Sequence, residues 1–246
     1  MNTTKRVERK LTGAAAVAGL AAVSYAAFAA AAWTRYGHAA RPVGDEADQL
    51  LDVFMPVYEV AERHHIRVDA PVDLTFGALM DMDLQDSTLV RAIFKARELL
   101  MGGTPDAPAR PRSLVEITKE LGWVVLTEVP GREIVMGAAT RPWDANVVFR
   151  SIAAEHFASF NEPGYVKIAW TLRADACDGD RSIARSETRA VATDAVARRK
   201  FRWYWARFSA GIVLIRQLSM RLVKQRAERM AGMGPAATRV AVTPPK

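Results

Sequence analysis

The sequence predicts an α+β domain in which an antiparallel sheet wraps around one long C-terminal helix. Short stretches of alternating apolar and polar residues fill much of residues 123–192, and turn signals such as Pro130-Gly131 and Asp178-Gly179 separate them. An aromatic stripe at helical spacing follows Asp194. The predicted helices precede the strands instead of alternating with them, which favours an antiparallel sheet over a parallel α/β arrangement.

The long helix is predicted to begin near Asp194, because a carboxylate there can cap the first free amides and suits the positive end of the helix dipole. Apolar side chains then recur at helical spacing up to about Met230. They are Ala197, Phe201, Tyr204, Trp205 and Phe208, followed beyond Gly211 by Leu214, Ile215, Leu218 and Leu222. We expect this face to lie on the sheet, because no other predicted element has a comparable apolar area.

The N-terminus combines a basic segment, residues 1–10, with an uncharged Ala-rich segment over residues 11–33. A helix of this length can cross a bilayer. Two interpretations remain open: a signal anchor, with Trp33 and Tyr36 at the far interface, or a cleaved signal peptide with a small-residue site around Ala30. The length favours the anchor, and the basic segment would then leave the N-terminus in the cytoplasm and the body outside. Cleavage would instead give a secreted protein.

The rest of the chain divides into a linker, a folded domain and a tail. Residues 34–56 form the predicted linker, since the segment around Pro42 and Gly44 is polar. Residues 57–230 form the domain, and residues 231–246, rich in proline and small residues, are predicted to be disordered.

The domain is predicted to open with a strand over residues 57–68, followed by a helix over residues 71–80. A second helix follows over residues 87–100, and a third begins with a capping box at Ser113-Glu116. Strands are then predicted at residues 123–129, 133–139, 147–152, 165–173 and 182–191. Gly137 lies inside the second of these strands, where it indicates a bulge or a close approach of another group.

Two short motifs resemble the helix-grip superfamily, the START and Bet v 1-like (SRPBCC) proteins. One is the strand that runs through Val68-Asp69-Ala70-Pro71 into a helix, and the other is the strand over residues 185–192 that leads into the terminal helix. The resemblance covers residues 57–229. It implies a helix-grip fold with a ligand cavity between sheet and helix. Members bind lipids, sterols, polyketides or plant metabolites, others cyclise or dehydrate polyketides, and some act as chaperone partners. The commonest members are soluble, so the N-terminal membrane segment departs from them. The superfamily has no common catalytic motif, so no catalytic residue is transferred.

Glu62 and His64 share the largely apolar face of the first predicted strand. A buried carboxylate beside an imidazole could perform acid–base chemistry, because burial and mutual charge shift both pKa values. The alternative is a structural role, in which both residues pair with arginines or with solvent.

Glu187 and Arg189 alternate on the last predicted strand. If their face points inward, they form a polar patch beneath the helix that can orient a ligand carboxylate or carbonyl. If it points outward, they form an ion ladder that contributes little to stability.

Four aromatic residues complete the predicted ligand cavity: Phe149 and Trp170 on strands, and Phe201 and Trp205 on the long helix. The alternative is that they simply fill the core, as large aromatic side chains usually do. Metal-ligand spacing and cofactor motifs are absent from the sequence, and we expect neither a metal nor a cofactor. The single cysteine, Cys177, excludes an internal disulfide.

The leading functional hypothesis is a membrane-tethered, non-catalytic protein that binds an apolar or amphipathic small molecule. The alternatives are a polyketide cyclase/dehydratase-like enzyme and a protein-interaction module with a filled core. The net charge of +7 is dispersed along the chain, so we do not expect nucleic acid as a partner, and the oligomeric state stays open. Arg221, Lys224 and Arg226 accompany the apolar face of the terminal helix and are predicted to meet an anionic membrane surface; the alternative is a solvated basic face.

Overall fold

The computed structural model describes residues 2–82 and 113–232, with side chains from residue 19 onward. The helix predicted over residues 87–100 and most of the predicted tail lie outside these ranges. The described helices are α1 (Asn2–Arg35), a 3-10 helix (Gly44–Glu46), α2 (Gln49–Phe54), α3 (Val72–Met80), α4 (Leu114–Glu120), α5 (Ala154–Phe157) and α6 (Ala195–Gly232). The described strands are β1 (Val60–Val68), β2 (Val124–Val129), β3 (Glu133–Thr140), β4 (Phe149–Arg150), β5 (Val166–Ala176) and β6 (Ser182–Ala192).

The strands form one antiparallel sheet in the order β1-β6-β5-β3-β2, and β4 pairs with the free end of β3. The predicted antiparallel α+β class is therefore confirmed. The chain reverses directly from β5 to β6, and β1 closes the sheet as an edge strand beside β6. This topology places the start of the domain next to the strand that leads into α6.

Two local predictions are confirmed by side-chain geometry. The Ser113 hydroxyl accepts from the Glu116 amide, and the Glu116 carboxylate accepts in return from the Ser113 amide. At Gly137, a Cβ atom would lie 2.6 Å from both a Leu126 methyl and the Phe157 ring, so glycine is required by close packing.

The long helix α6 begins where the sequence predicts. The Asp194 carboxylate accepts from the amides of Val196 at 2.6 Å and Ala197 at 2.9 Å. In the first half of α6 the buried residues include Ala197, Phe201 and Trp205, as predicted.

The second half of α6 presents a different face from the predicted one. Leu214 is 38% exposed, and Ile215, Leu218 and Leu222 are only half-buried. The inward stripe continues from Trp205 at spacings of three or four residues through buried Ser209, half-buried Ile212 and Arg216, and buried Met220, Val223 and Ala227. Because this stripe contains a serine and an arginine, hydrophobicity alone favours the neighbouring face.

The predicted linker contributes to the fold. Leu51 and Met55, at and just beyond α2, are almost completely buried against the face of the sheet opposite α6. Arginines of the sheet hold the segment through its backbone: Arg173 donates to the carbonyls of Asp45 and Ala47 at 2.9 and 3.0 Å, and Arg189 donates to that of Met55 at 2.9 Å. Residues 44–55 therefore cover the outer face of the sheet and are not a free tether.

The C-terminal turns of α1 pack against the first half of α6. The Trp33 and Trp203 rings lie 4.7 Å apart between centroids, and the Tyr25 hydroxyl donates to the Arg207 carbonyl at 2.6 Å. Farther toward its N-terminus α1 exposes large apolar side chains, with Leu20 70% and Val23 67% exposed. No helix within the described residues has the length and hydrophobicity needed to cross a membrane.

Candidate functional site

A layer of polar side chains separates two apolar clusters between the sheet and α6. One cluster contains Trp170 and Met220, and the other contains Phe201 and Trp205. The polar layer consists of Glu62, His64, Ser186, Thr188 and Arg216.

The strand register places this layer on the α6 side of the sheet. Glu62 lies opposite Thr188, and His64 lies opposite Ser186, in the antiparallel β1–β6 pair. Residues directly opposite in such a pair project to the same face. Arg216 of α6 donates to the Ser186 hydroxyl at 3.4 Å and to the Thr188 hydroxyl at 3.1 Å, which identifies that face as the one beneath the helix.

The middle of this interface is less completely buried than its flanks. Ile168 on β5 and Thr188 on β6 are half-buried, although Val166 and Trp170, the flanking residues on the same face of β5, are buried. Both strands are central and hydrogen-bonded on both sides, so these side chains can only be exposed toward the helix. The packing between the sheet and α6 is therefore incomplete there. We call this region, lined by the polar layer with Ile168 and Ile212, the central gap.

Glu62 and His64 border the central gap from the edge strand β1. The distance from His64 Nε2 to Glu62 Oε2 is 3.9 Å, and their side chains are 11% and 27% exposed. Burial, with smaller contributions from the positive charges of Arg216 and His65, lowers the pKa of His64 to about 4. Burial also raises the pKa of Glu62, against the opposing effect of Arg35 and Arg63. His64 is therefore neutral at pH 7, and an acid–base pair on this edge is chemically feasible.

Arg216 is a functional candidate that was not among the site residues predicted from the sequence. Its guanidinium carbon lies 5.8 Å from the centre of the Trp170 ring. Burial lowers its pKa to about 10. A signal was present in the sequence, because Arg216 lies four residues after Ile212 and four before Met220 in the inward stripe.

The four predicted aromatic residues lie on the α6 side of the sheet but at opposite ends of the polar layer. Phe149 and Trp170 both contact Trp123, with centroid distances of 5.1 and 6.1 Å. Phe201 and Trp205 contact each other at 5.9 Å. Both pairs could border a ligand in the central gap, and both are part of apolar clusters.

Glu187 and Arg189 lie on the other face of the sheet, which corrects their grouping with Glu62 and His64. Arg189 is completely buried and donates to Glu187 at 2.6 Å and to Asp52 of α2. The physical reason is the alternation of β6: Ser186 and Thr188 face Arg216, so Glu187 and Arg189 must face away. They form a buried ion network under α2, which neither of the two alternatives considered from the sequence describes.

The three cations predicted to meet a membrane have different environments. Arg226 donates to the Asp81 carboxylate at 2.9 Å, and Lys224 donates to the Arg67 carbonyl at 2.9 Å and pairs with Glu228. Arg221 is exposed. Two of the three charges are thus paired within the domain.

The sheet order and the long C-terminal helix give the chain a helix-grip fold, the class that the two sequence motifs indicated. No protein-family model and no curated protein matches the chain.

Several solved structures resemble the fold at low identity. CalU16 from Micromonospora echinospora is 15% identical, with 70% of this chain and 87% of that chain covered and a TM-score of 0.24. CV1439 from Chromobacterium violaceum is 12% identical, with 68% and 96% covered and a TM-score of 0.28. The Zhui aromatase/cyclase from Streptomyces is 14% identical, with 69% and 93% covered and a TM-score of 0.26. Likenesses this distant do not bear on activity.

Proposed function

We propose that the protein binds an apolar or amphipathic small molecule, lipid-like or polyketide-like, between the sheet and α6. The observation that carries this proposal is the central gap. Ile168 and Thr188 remain half-buried in the middle of an interface whose flanking residues are buried. Apolar walls with a few convergent polar groups are typical of small-molecule sites.

One unsatisfied polar atom at the gap supports the same proposal. Within the described residues, six buried side-chain polar atoms have no hydrogen-bond partner, and one of them, His64 Nε2, borders the gap. A buried polar atom without a partner is destabilising, so most such atoms in folded proteins are satisfied by protein, water or ligand. A bound molecule with a polar atom can satisfy His64 Nε2.

A second candidate function is acid–base catalysis of the polyketide cyclase/dehydratase kind. The observation in its favour is the neutral His64 at 3.9 Å from Glu62, whose pKa is raised. In this case Glu62→Gln abolishes turnover of a cyclisable polyketide but leaves its binding intact. If the same change weakens binding and no turnover exists, the pair serves binding alone.

Native mass spectrometry of the full-length chain tests the binding function. We expect a co-purified apolar molecule with the wild type and with Val148→Phe, a control at a 75% exposed position. Ile168→Phe should abolish the adduct, because the larger ring occupies the central gap. An empty wild-type protein that also fails to bind added lipids contradicts the proposal and favours an interaction module with a filled core.

We further propose that α1 holds the protein at a membrane by lying along its surface. The support is the composition of the helix: cations in residues 5–10, and exposed Leu20, Val23, Tyr25 and Phe28 farther along it. Helices of this kind bind anionic bilayers through apolar contact and charge attraction. This arrangement is an alternative to a cytoplasmic N-terminus with the body outside, which requires a spanning helix; that orientation stays a prediction, as does secretion after cleavage.

Flotation of the full-length chain with vesicles of phosphatidylcholine and phosphatidylserine tests the membrane proposal. We expect flotation that weakens with salt and is lost in Leu20→Glu/Val23→Glu, whereas Val148→Glu, an equally exposed site on the body, floats normally. Arg221→Gln should weaken flotation only if the end of α6 also touches the bilayer. A wild type that stays at the bottom of the gradient at low salt rules the proposal out.

A further inference from the structure

Arg216 is a cation on the sheet-facing side of α6, and its hydrogen-bond partners are all neutral. Its guanidinium donates to the hydroxyls of Ser186 and Thr188 and lies over the Trp170 ring. Within residues 2–82 and 113–232, no carboxylate forms an ion pair with it.

Arg189 shows how the charge of a buried arginine is compensated elsewhere in this fold. On the other face of β6, Arg189 is held by two carboxylates, those of Glu187 and Asp52. A guanidinium removed from water is stabilised only if an opposite charge and further acceptors replace its hydration. Arg189, which is completely buried, has this compensation, whereas Arg216, which is half-buried, has only neutral acceptors.

We propose that the ligand of the central gap carries a carboxylate that pairs with Arg216. The proposal rests on the proposed function, because it concerns the same gap. A guanidinium offers five donors in a planar arrangement that matches a carboxylate in bidentate geometry, and hydroxyls engage only part of this set. The apolar body of the ligand would then contact Ile168 and Ile212, which flank the polar layer.

The other groups of the polar layer favour a ligand with a single negative charge. His64 is neutral, and its free Nε2 is available for one further hydrogen bond with the carboxylate. Glu62 is the acid of the layer and would repel a second anionic group whenever it is ionised. The positive charges of Arg35 and Arg63 favour the ionised form of Glu62, because they lower its pKa against the effect of burial. The site therefore fits an amphipathic monocarboxylic acid.

Isothermal titration of the full-length chain tests this assignment, with titrations of the probes into buffer subtracted. Decanoate and decanol are the probes, because they share an apolar chain and differ in the charge of the head. We expect decanoate to bind the wild type at least about tenfold more tightly than decanol. In Arg216→Gln this preference disappears through loss of decanoate affinity, whereas decanol affinity is unchanged.

Two further variants make the result specific. Arg229→Gln removes an exposed cation of the same helix and should keep the preference. Arg216→Lys keeps a charge but not the planar donor pair, so it should retain only part of the preference. If Arg216→Gln does not fold, Thr188→Val, which removes one hydroxyl that orients the guanidinium, should reduce the preference instead.

The outcomes separate this inference from the proposed function. If the wild type binds decanoate and decanol equally, the carboxylate assignment is overturned and the binding function stands. If Arg216→Gln keeps a wild-type preference, the anion is bound elsewhere and the assignment is also overturned. If the wild type binds neither probe, the binding function itself fails for chains of this size.

Discussion

The Arg189 guanidinium donates to the Glu187 carboxylate at 2.6 Å, and both residues are buried on the face of the sheet that α6 does not cover. Arg189 also reaches the Met55 carbonyl at 2.9 Å and Asp52 of α2. This buried cation, together with Arg173 and Arg185, thus fixes the segment before β1 onto the sheet. This interaction is structural, because α2 covers it and the central gap lies on the opposite face.

Replacing Arg189 with methionine should destabilise the protein by about 3–5 kcal/mol. The change removes one partner of a buried ion network and leaves the Glu187 carboxylate without its closest donor. Urea unfolding at pH 7 measures the loss, with Arg199→Met, at an exposed position of α6, as the control. A cost below about 1 kcal/mol, the usual value for an exposed ion pair, would show that water replaces the guanidinium.

His64 should make the folded state sensitive to acid. Its pKa is about 4 in the folded protein against 6.5 for an unperturbed imidazole, so the unfolded chain binds more protons between these values. The contribution of neutral His64 to the free energy of unfolding is therefore complete above pH 6.5. It is lost as the pH falls toward 4, and the loss is roughly 3 kcal/mol. Urea unfolding from pH 4 to pH 7.5 should show a shallower pH dependence for His64→Gln than for the wild type. Parallel curves would mean that folding does not lower the pKa of His64.

Glu133, on the other face of the sheet, should make the folded state less stable as the pH rises. It is 4% exposed, and burial together with the neighbouring Asp48 raises its pKa from 4.5 to about 8. The contribution of protonated Glu133 to the free energy of unfolding is present below pH 4.5. It is lost as the pH rises through 8, because the folded state retains a proton that the unfolded chain releases.

Glu133→Gln should therefore match the wild type near pH 5 and exceed it in stability at pH 9, by on the order of 1–3 kcal/mol. Thermal unfolding at the two pH values measures this. Glu128→Gln, an exposed position on β2, is the control and should show no such divergence. Equal stabilities of Glu133→Gln and the wild type at pH 9 contradict the assignment.

Two glycines should respond oppositely to alanine. Gly137→Ala places a methyl group 2.6 Å from Leu126 and Phe157 in the cluster under α2, and overpacking of this kind costs about 1–3 kcal/mol. Gly77 lies within α3 with no heavy atom within 4 Å of an added Cβ, so Gly77→Ala should stabilise the protein by about 0.5–1 kcal/mol. Urea midpoints test both changes, and a neutral Gly137→Ala would mean that the Phe157 ring moves aside freely.

The features that were predicted correctly depend on neighbours in sequence. Alternation along β1 correctly placed Glu62 and His64 on one face. The cap of Asp194 and the capping box at Ser113 involve side chains and amides within three residues of each other. Such patterns are visible in a single sequence because the interacting groups lie within one turn or one strand.

The features that sequence reasoning missed depend on contacts between distant residues. The segment over residues 44–55 looks like a linker until Arg173, Arg185 and Arg189 are known to face it from β5 and β6. In α6, two adjacent helical faces have acceptable periodicity. The sheet selects the one with Arg216, because Ser186 and Thr188 can accept its hydrogen bonds.

The last prediction contrasts the arginines on the two faces of β6. Arg216→Met removes a cation whose burial is uncompensated by a carboxylate, and the hydroxyls that it leaves can be hydrated through the central gap. We therefore expect its cost in unfolding free energy to lie below about 1 kcal/mol, or to be negative, against about 3–5 kcal/mol for Arg189→Met. Urea unfolding of the ligand-free proteins, side by side, measures the difference. Added decanoate should then raise the midpoint of the wild type and of Arg189→Met but not that of Arg216→Met, because a ligand stabilises only the state that binds it. An Arg216→Met protein as unstable as Arg189→Met would mean that Arg216 is already neutralised within the fold, and the need for an anionic ligand would disappear.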